Sequence, residues 1–150
     1  MRGRRRIDAL VRKLVPDPFD LDQFLANAST EMGLPIRMLS GVSSGLPLSG
    51  ASFVTDRCAF VSVPASTSED HHIFIVSHEV FHLLEGHSCS AAAEDHSNSL
   101  IRSFRRQRIE LSCERFAWKV GTTVLRQRVR AVGPAEAPAR MLSSAFGFRA

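Results

Sequence analysis

Two histidines and a glutamate, in the run His78-Glu79-Val80-Phe81-His82, stand at the H-E-x-x-H spacing. On an α-helix, residues four apart differ by only about 40° around the axis, so a helical stretch turns both imidazoles to one side. Neutral imidazole is a good zinc ligand, and a carboxylate one residue along can reach water at an open coordination position without ligating the metal itself. The chemistry such a pattern serves is metal-assisted hydrolysis. The metal activates water, the carboxylate accepts its proton as a peptide carbonyl is attacked, and the same carboxylate then protonates the leaving amine. His78 and His82 are therefore the candidate metal ligands, Glu79 the candidate general base and Zn2+ the expected cofactor.

By this chain's own His and Glu content, a chance match would turn up in roughly one such sequence in a hundred, so the surroundings must decide. The plain alternative is a pair of core histidines satisfied by backbone or carboxylate partners. Against it, the pair follows a helix start and is interleaved with Val80, Phe81, Leu83 and Leu84, with β-prone runs just upstream. A third ligand is needed. His87 does not supply it in the metzincin manner, which would require Gly at position 85 and His at 88, where the chain has Glu85 and Ser88. A carboxylate from a later helix is the other common solution. Glu110, in Ile109-Glu110-Leu111-Ser112-Cys113-Glu114-Arg115-Phe116-Ala117, is preferred because its apolar neighbours can pack that face on the motif helix, and spacing leaves Glu114 open. The oxyanion formed in hydrolysis also needs a donor. The chain has no Tyr, which leaves His71, His72, His96, an Arg or a backbone amide. His87 suits a place behind the ligands or at the helix end, and Cys89 and Cys113, without a Cys-x-x-Cys pair, read as structural.

The elements that must position these groups follow from patterning. Phe19 to Ala28 carries apolar residues near helical spacing after Pro16 and Pro18 and stops before Gly33 and Pro35. Residues 41–50, rich in Ser, Gly and Pro, read as a loop. Ala51 to Thr55 and Cys58 to Val63, parted by Asp56-Arg57, predict an antiparallel hairpin. Ser66 or Thr67, with Glu69 or Asp70 answering, predicts a capping box opening the motif helix, which Gly86 ends. Residues 87–102 read as a loop or short irregular helix that covers or borders the site. A further helix runs through Ile101, Phe104, Ile109, Leu111, Phe116, Ala117, Trp118 and Val120, with Arg102, Arg105, Arg106 and Arg108 as its polar side.

With 150 residues, 44% of them hydrophobic, the chain fits one α+β domain with a workable core. Lys and Arg total 19 against 15 Asp and Glu, and Arg2, Arg4, Arg5, Arg6, Arg12 and Lys13 crowd the start. Residues 1–18 therefore read as a basic arm, 19–130 as the metal-bearing domain and 131–150 as a weakly patterned tail. Basic residues at the start and at 102–108 raise the question of nucleic acid, but no recognition motif accompanies them, and direct nucleic-acid binding is not expected. No apolar run approaches a bilayer span, no export signal follows the arginines, and three scattered cysteines do not make a disulfide framework. The expectation is a cytoplasmic protein with no membrane partner.

His78-Glu79-Val80-Phe81-His82-Leu83-Leu84-Glu85-Gly86-His87, together with Glu110-Leu111-Ser112-Cys113-Glu114-Arg115-Phe116-Ala117, resembles the ImmA/IrrE family of bacterial zinc peptidases over roughly residues 19–120. The resemblance implies a compact zincin-like fold, a small antiparallel sheet packed against the H-E-x-x-H helix and a later ligand-bearing helix. It makes Glu110 the third ligand. It also implies a regulatory protein, such as a helix-turn-helix repressor or an antitoxin, as substrate or partner. The missing Tyr and the bulky Phe81 motivate a second reading, a zinc-binding sensor that sequesters such a partner without cleaving it.

Overall fold

The computed structural model describes residues 2–39, 50–87 and 99–133, with no side-chain description at Arg2 or at 99–103. Along them run α1 (Arg2–Leu14), α2 (Leu21–Met32), β1 (Ile36–Leu39), β2 (Ala51–Val54), β3 (Ala59–Ser62), α3 (Glu69–Leu84) and α4 (Ser99–Val132). The architecture is α+β. None of the described helices is long and apolar enough to cross a membrane. Most of the loop read at 41–50, the stretch 88–98 with Cys89 and His96, and the tail from 134 lie outside the described residues.

The first element corrects the sequence reading. Ile7, Leu10, Val11 and Leu14 stand at the i, i+3, i+4, i+7 spacing of one helix face, and all four are buried. Residues 2–14 are thus an amphipathic helix packed on the domain, its exposed arginines on the wet side, rather than a separate basic arm. α1 packs on α2 and α4. Asn27 Nδ2 donates to the carbonyl of Leu14 at 2.9 Å, satisfying an acceptor left open at the end of α1. From α4, Lys119 pairs with Asp8 and Gln127 Nε2 donates to the carbonyl of Pro16 at 2.8 Å. The hydrogen bond from Lys119 holds the Asp8 carboxyl below the usual carboxylate range.

α2 begins where Asp20 accepts from the Gln23 amide at 2.7 Å, an N-cap, and buries Phe24, Leu25 and Ala28. The expected hairpin is present, with β2 antiparallel to β3 in the register Ala51↔Ser62 and Val54↔Ala59. The sheet itself is mixed rather than antiparallel throughout. β1 lies on the other side of β3 and parallel to it, Ile36 against Ala59 and Leu39 against Ser62, which makes β2 an edge. The Ala59 amide donates to the Pro35 carbonyl at 2.8 Å and sets that register.

α3 is capped by Ser68, whose Oγ accepts from the His71 amide at 3.4 Å; the cap falls one or two residues later than the Ser66 or Thr67 expected. Its end is as expected: Gly86 takes φ +68°, a left-handed conformation that suits glycine. α3 packs against α2, β2, β3 and α4. Val76 and Val80 have no exposed surface, and Phe81 stacks on Phe116 of α4 with ring centroids 4.9 Å apart. α4 starts at Ser99, so residues 99–102 belong to this long helix. Its apolar residues divide. Cys113, Phe116, Ala117, Val120 and Val124 face the core, whereas Phe104, Leu111, Trp118 and Leu125 are exposed. Arg128 of α4 reaches back to Glu69 and Asp70 in the first turn of α3, where carboxylates also suit the helix dipole.

Candidate metal centre

The two histidines of the motif meet at the surface where α3 packs on α4. His78 Nε2 and His82 Nε2 are 3.1 Å apart. Across the interface, Glu110 Oε2 lies 3.2 Å from His78 Nε2 and 3.5 Å from His82 Nε2. Ligands about 2.0–2.1 Å from a tetrahedral zinc stand about 3.3–3.4 Å from one another. These three donors form a triangle of that size before any ion is placed among them, so the residues present fit a metal. Burial pushes the His82 imidazole pKa down; the Glu110 carboxylate opposes this and His78 reinforces it. The result favours the neutral ring, the form that ligates.

A fourth donor also stands close. Cys113 lies one turn after Glu110 on α4, fully buried, and its Sγ and a nitrogen of each imidazole lie within 4.8 Å of one another. His78, His82 and Cys113 could therefore hold a metal ion as well. The thiol pKa is pushed up to about 12, first by burial and then by the carboxylates of Glu110, Glu79 and Glu85. In the metal-free protein Cys113 keeps its proton and behaves as a small apolar side chain.

Glu79 is held from the other side, by the sheet. Only 6% of it is exposed, and its Oε2 accepts from Ser52 Oγ at 2.6 Å. Ser52 is buried on β2, the single inward polar side chain of that strand. The chain just before it runs close over α3. A Cβ added at Gly50 would come within 2.4 Å of Ile75 Cγ2 and 3.3 Å of Glu79 Oε1, so this approach requires glycine. Ser52→Ala leaves a buried carboxylate oxygen without its donor. It is expected to destabilise the metal-free protein by about 1–3 kcal/mol, read from urea unfolding midpoints at unchanged slope. A midpoint equal to wild type would show that water replaces the hydroxyl without loss.

The remaining predicted residues lie around this centre. His87 follows α3; its ring centroid is 5.9 Å from that of His82, and its buried Nδ1 has no hydrogen-bond partner among the described residues. His71 is exposed, with the Phe74 ring between it and His78. His72 is half-buried, and neither it nor His71 joins the donor triangle. Glu114 is exposed and makes no ion pair with either imidazole. Sequence reasoning overlooked Ser52 and Gly50, and treated Cys113 as structural. The one available signal was a lone serine at an inward position of a β-prone run.

The arrangement thus offers two imidazoles and a carboxylate within 3.5 Å of one another, a buried, serine-anchored carboxylate next in sequence to His78, and a thiol within 4.8 Å of the imidazoles. No protein-family model, curated protein or solved structure matches the chain.

Proposed function

We propose that this chain is a zinc metallopeptidase that cleaves a regulatory protein such as a helix-turn-helix repressor or an antitoxin. The observation that carries the reading is the donor triangle of His78, His82 and Glu110, with edges of 3.1, 3.2 and 3.5 Å, beside an oriented Glu79. Zinc bound there supplies a Lewis acid and a water nucleophile usable at neutral pH. The protein's own groups do the rest. Glu79 takes the proton of the attacking water and returns it to the leaving amine, while Ser52 occupies Oε2 and leaves Oε1 for that traffic. β2, an edge strand among the described residues, gives an extended peptide a row of backbone groups to pair with, next to α3. Among the described histidines outside the ligand pair, His87 packs beside His82 and keeps a buried ring nitrogen, Nδ1, without a partner among the described residues. The kind of substrate named here rests on the resemblance to the ImmA/IrrE family.

Cys113 supports a second reading. Were its sulfur to ligate together with His78, His82 and Glu110, four protein donors would close the coordination sphere, which suits a sensor better than a hydrolase. One preparation separates the two. Chelation is expected to abolish hydrolysis of an unfolded protein substrate, and zinc to restore it. Co2+ in place of zinc is expected to show tetrahedral visible bands, without a thiolate charge-transfer band in the near ultraviolet. A charge-transfer band that disappears in Cys113→Ser, with no hydrolysis in the zinc form, would establish the sensor instead.

A further inference from the structure

α4 carries Phe104, Leu111, Trp118 and Leu125 on its solvent side, one large apolar residue every seven, exposed by 66%, 43%, 68% and 37%. Seven residues are close to two turns, so the four side chains form one file that drifts by only about 20° per step. At 1.5 Å per residue the file extends roughly 30 Å. It lies opposite the face that Cys113, Phe116, Val120 and Val124 bury, and among the described residues the core does not include it, the edge of Trp118 against Phe74 of α3 being its one ring contact. Seven-residue spacing of this kind serves the seam between two helices.

The charge along one flank says what kind of helix fits. Arg105, Arg108, Arg115 and Arg126 are exposed along the same stretch, and none has an ion pair among the described residues. Beside Trp118 runs a groove of about 500 Å³ between α3 and α4, bounded by Phe74, Leu125 and Gly121. Apart from its own stretch of helix, nothing among the described residues lies within 4 Å of where a Cβ of Gly121 would stand, so a side chain from outside has room there. We propose that this face of α4 docks an acidic amphipathic helix of a partner protein, its apolar residues on the Phe104–Leu125 file and its carboxylates against the four arginines. A second copy of this chain packed antiparallel along the file would set this arginine flank against itself. A lipid surface calls for a broad apolar face, whereas this file is one side chain wide with charge beside it. Leu111 is the neighbour of Glu110, so a protein held along the file is held next to the metal centre. The proposal stands whether or not that centre is a peptidase.

Trp118 is the chain's single tryptophan, so its emission reports on the file directly. The probe is a synthetic helical peptide with leucine at seven-residue spacing and glutamates on both flanks. Its titration is expected to give a saturable blue shift of Trp118. The doubly substituted Leu111→Ser/Leu125→Ser and Arg108→Glu/Arg115→Glu proteins should each bind roughly tenfold or more weakly. All of these positions are on the surface, and unchanged melting temperatures would show the variants folded. A control peptide with lysine in place of glutamate should not bind. Equal binding of the lysine peptide would overturn the proposal. So would concentration-dependent self-association of the chain alone that Leu111→Ser/Leu125→Ser abolishes, or a larger Trp118 shift with phosphatidylserine vesicles or a DNA duplex than with the acidic peptide.

Discussion

Glu79→Gln is expected to slow peptide hydrolysis by roughly 10²- to 10⁴-fold while the protein keeps its metal. The exchange is nearly isosteric at a site only 6% exposed, and the amide oxygen can still accept from Ser52, so the fold has no reason to fail. What is lost is the capacity to take a proton. Metal content by elemental analysis and turnover of an unfolded protein substrate, measured on the same sample, read the two properties separately. Wild-type turnover in the substituted protein would remove Glu79 from the chemistry. Loss of metal with loss of turnover would instead make it part of the binding site.

His82→Ala and Glu110→Ala are each expected to reduce bound zinc from about one per chain to below about a tenth of that after dialysis, since two remaining protein donors hold zinc poorly. Glu110→Ala is the sharper test. Its side chain is 42% exposed and sits on a helix held to α3 by other contacts, so its removal costs the fold little. Glu114→Ala, one turn away and exposed, should bind zinc as wild type does. Zinc at a thousand times its dissociation constant stabilises a protein by about 4 kcal/mol through linkage. Added zinc should therefore raise the melting temperature of wild type and of Glu114→Ala, but not of the other two. Zinc retained in Glu110→Ala and lost in Cys113→Ser would transfer the third position to sulfur.

The sequence made the motif helix legible because ligand chemistry demands a fixed spacing, and a fixed spacing can be read. The hairpin was legible for a similar local reason, two β-prone runs around Asp56-Arg57. Elsewhere, strong composition hid weaker periodicity. The arginines of α1 drew attention from Ile7, Leu10, Val11 and Leu14, whose spacing alone announces a buried face. In α4 the opposite happened. Phe104, Leu111 and Trp118 look like core because they are apolar, but their seven-residue period places them opposite the buried Cys113, Phe116 and Val120. β1 has only four residues, and its parallel pairing joins positions more than twenty apart, which no local pattern encodes. Ser52 and Glu79 meet for the same kind of reason, across 27 residues.

The packing of α1 on α4 also governs how the chain reaches this state. Asp8 and Lys119 are separated by 111 residues, and the bond from Gln127 to Pro16 spans as many. Before α4 is in place, the described partners of α1 are α2 and the Arg6–Glu85 pair at the end of α3, and closing so long a loop is slow relative to forming either helix. Burial of the apolar face of α1 is therefore expected to lag behind formation of either helix. The covering of that face is complete only once α4, more than a hundred residues away in sequence, has packed against it.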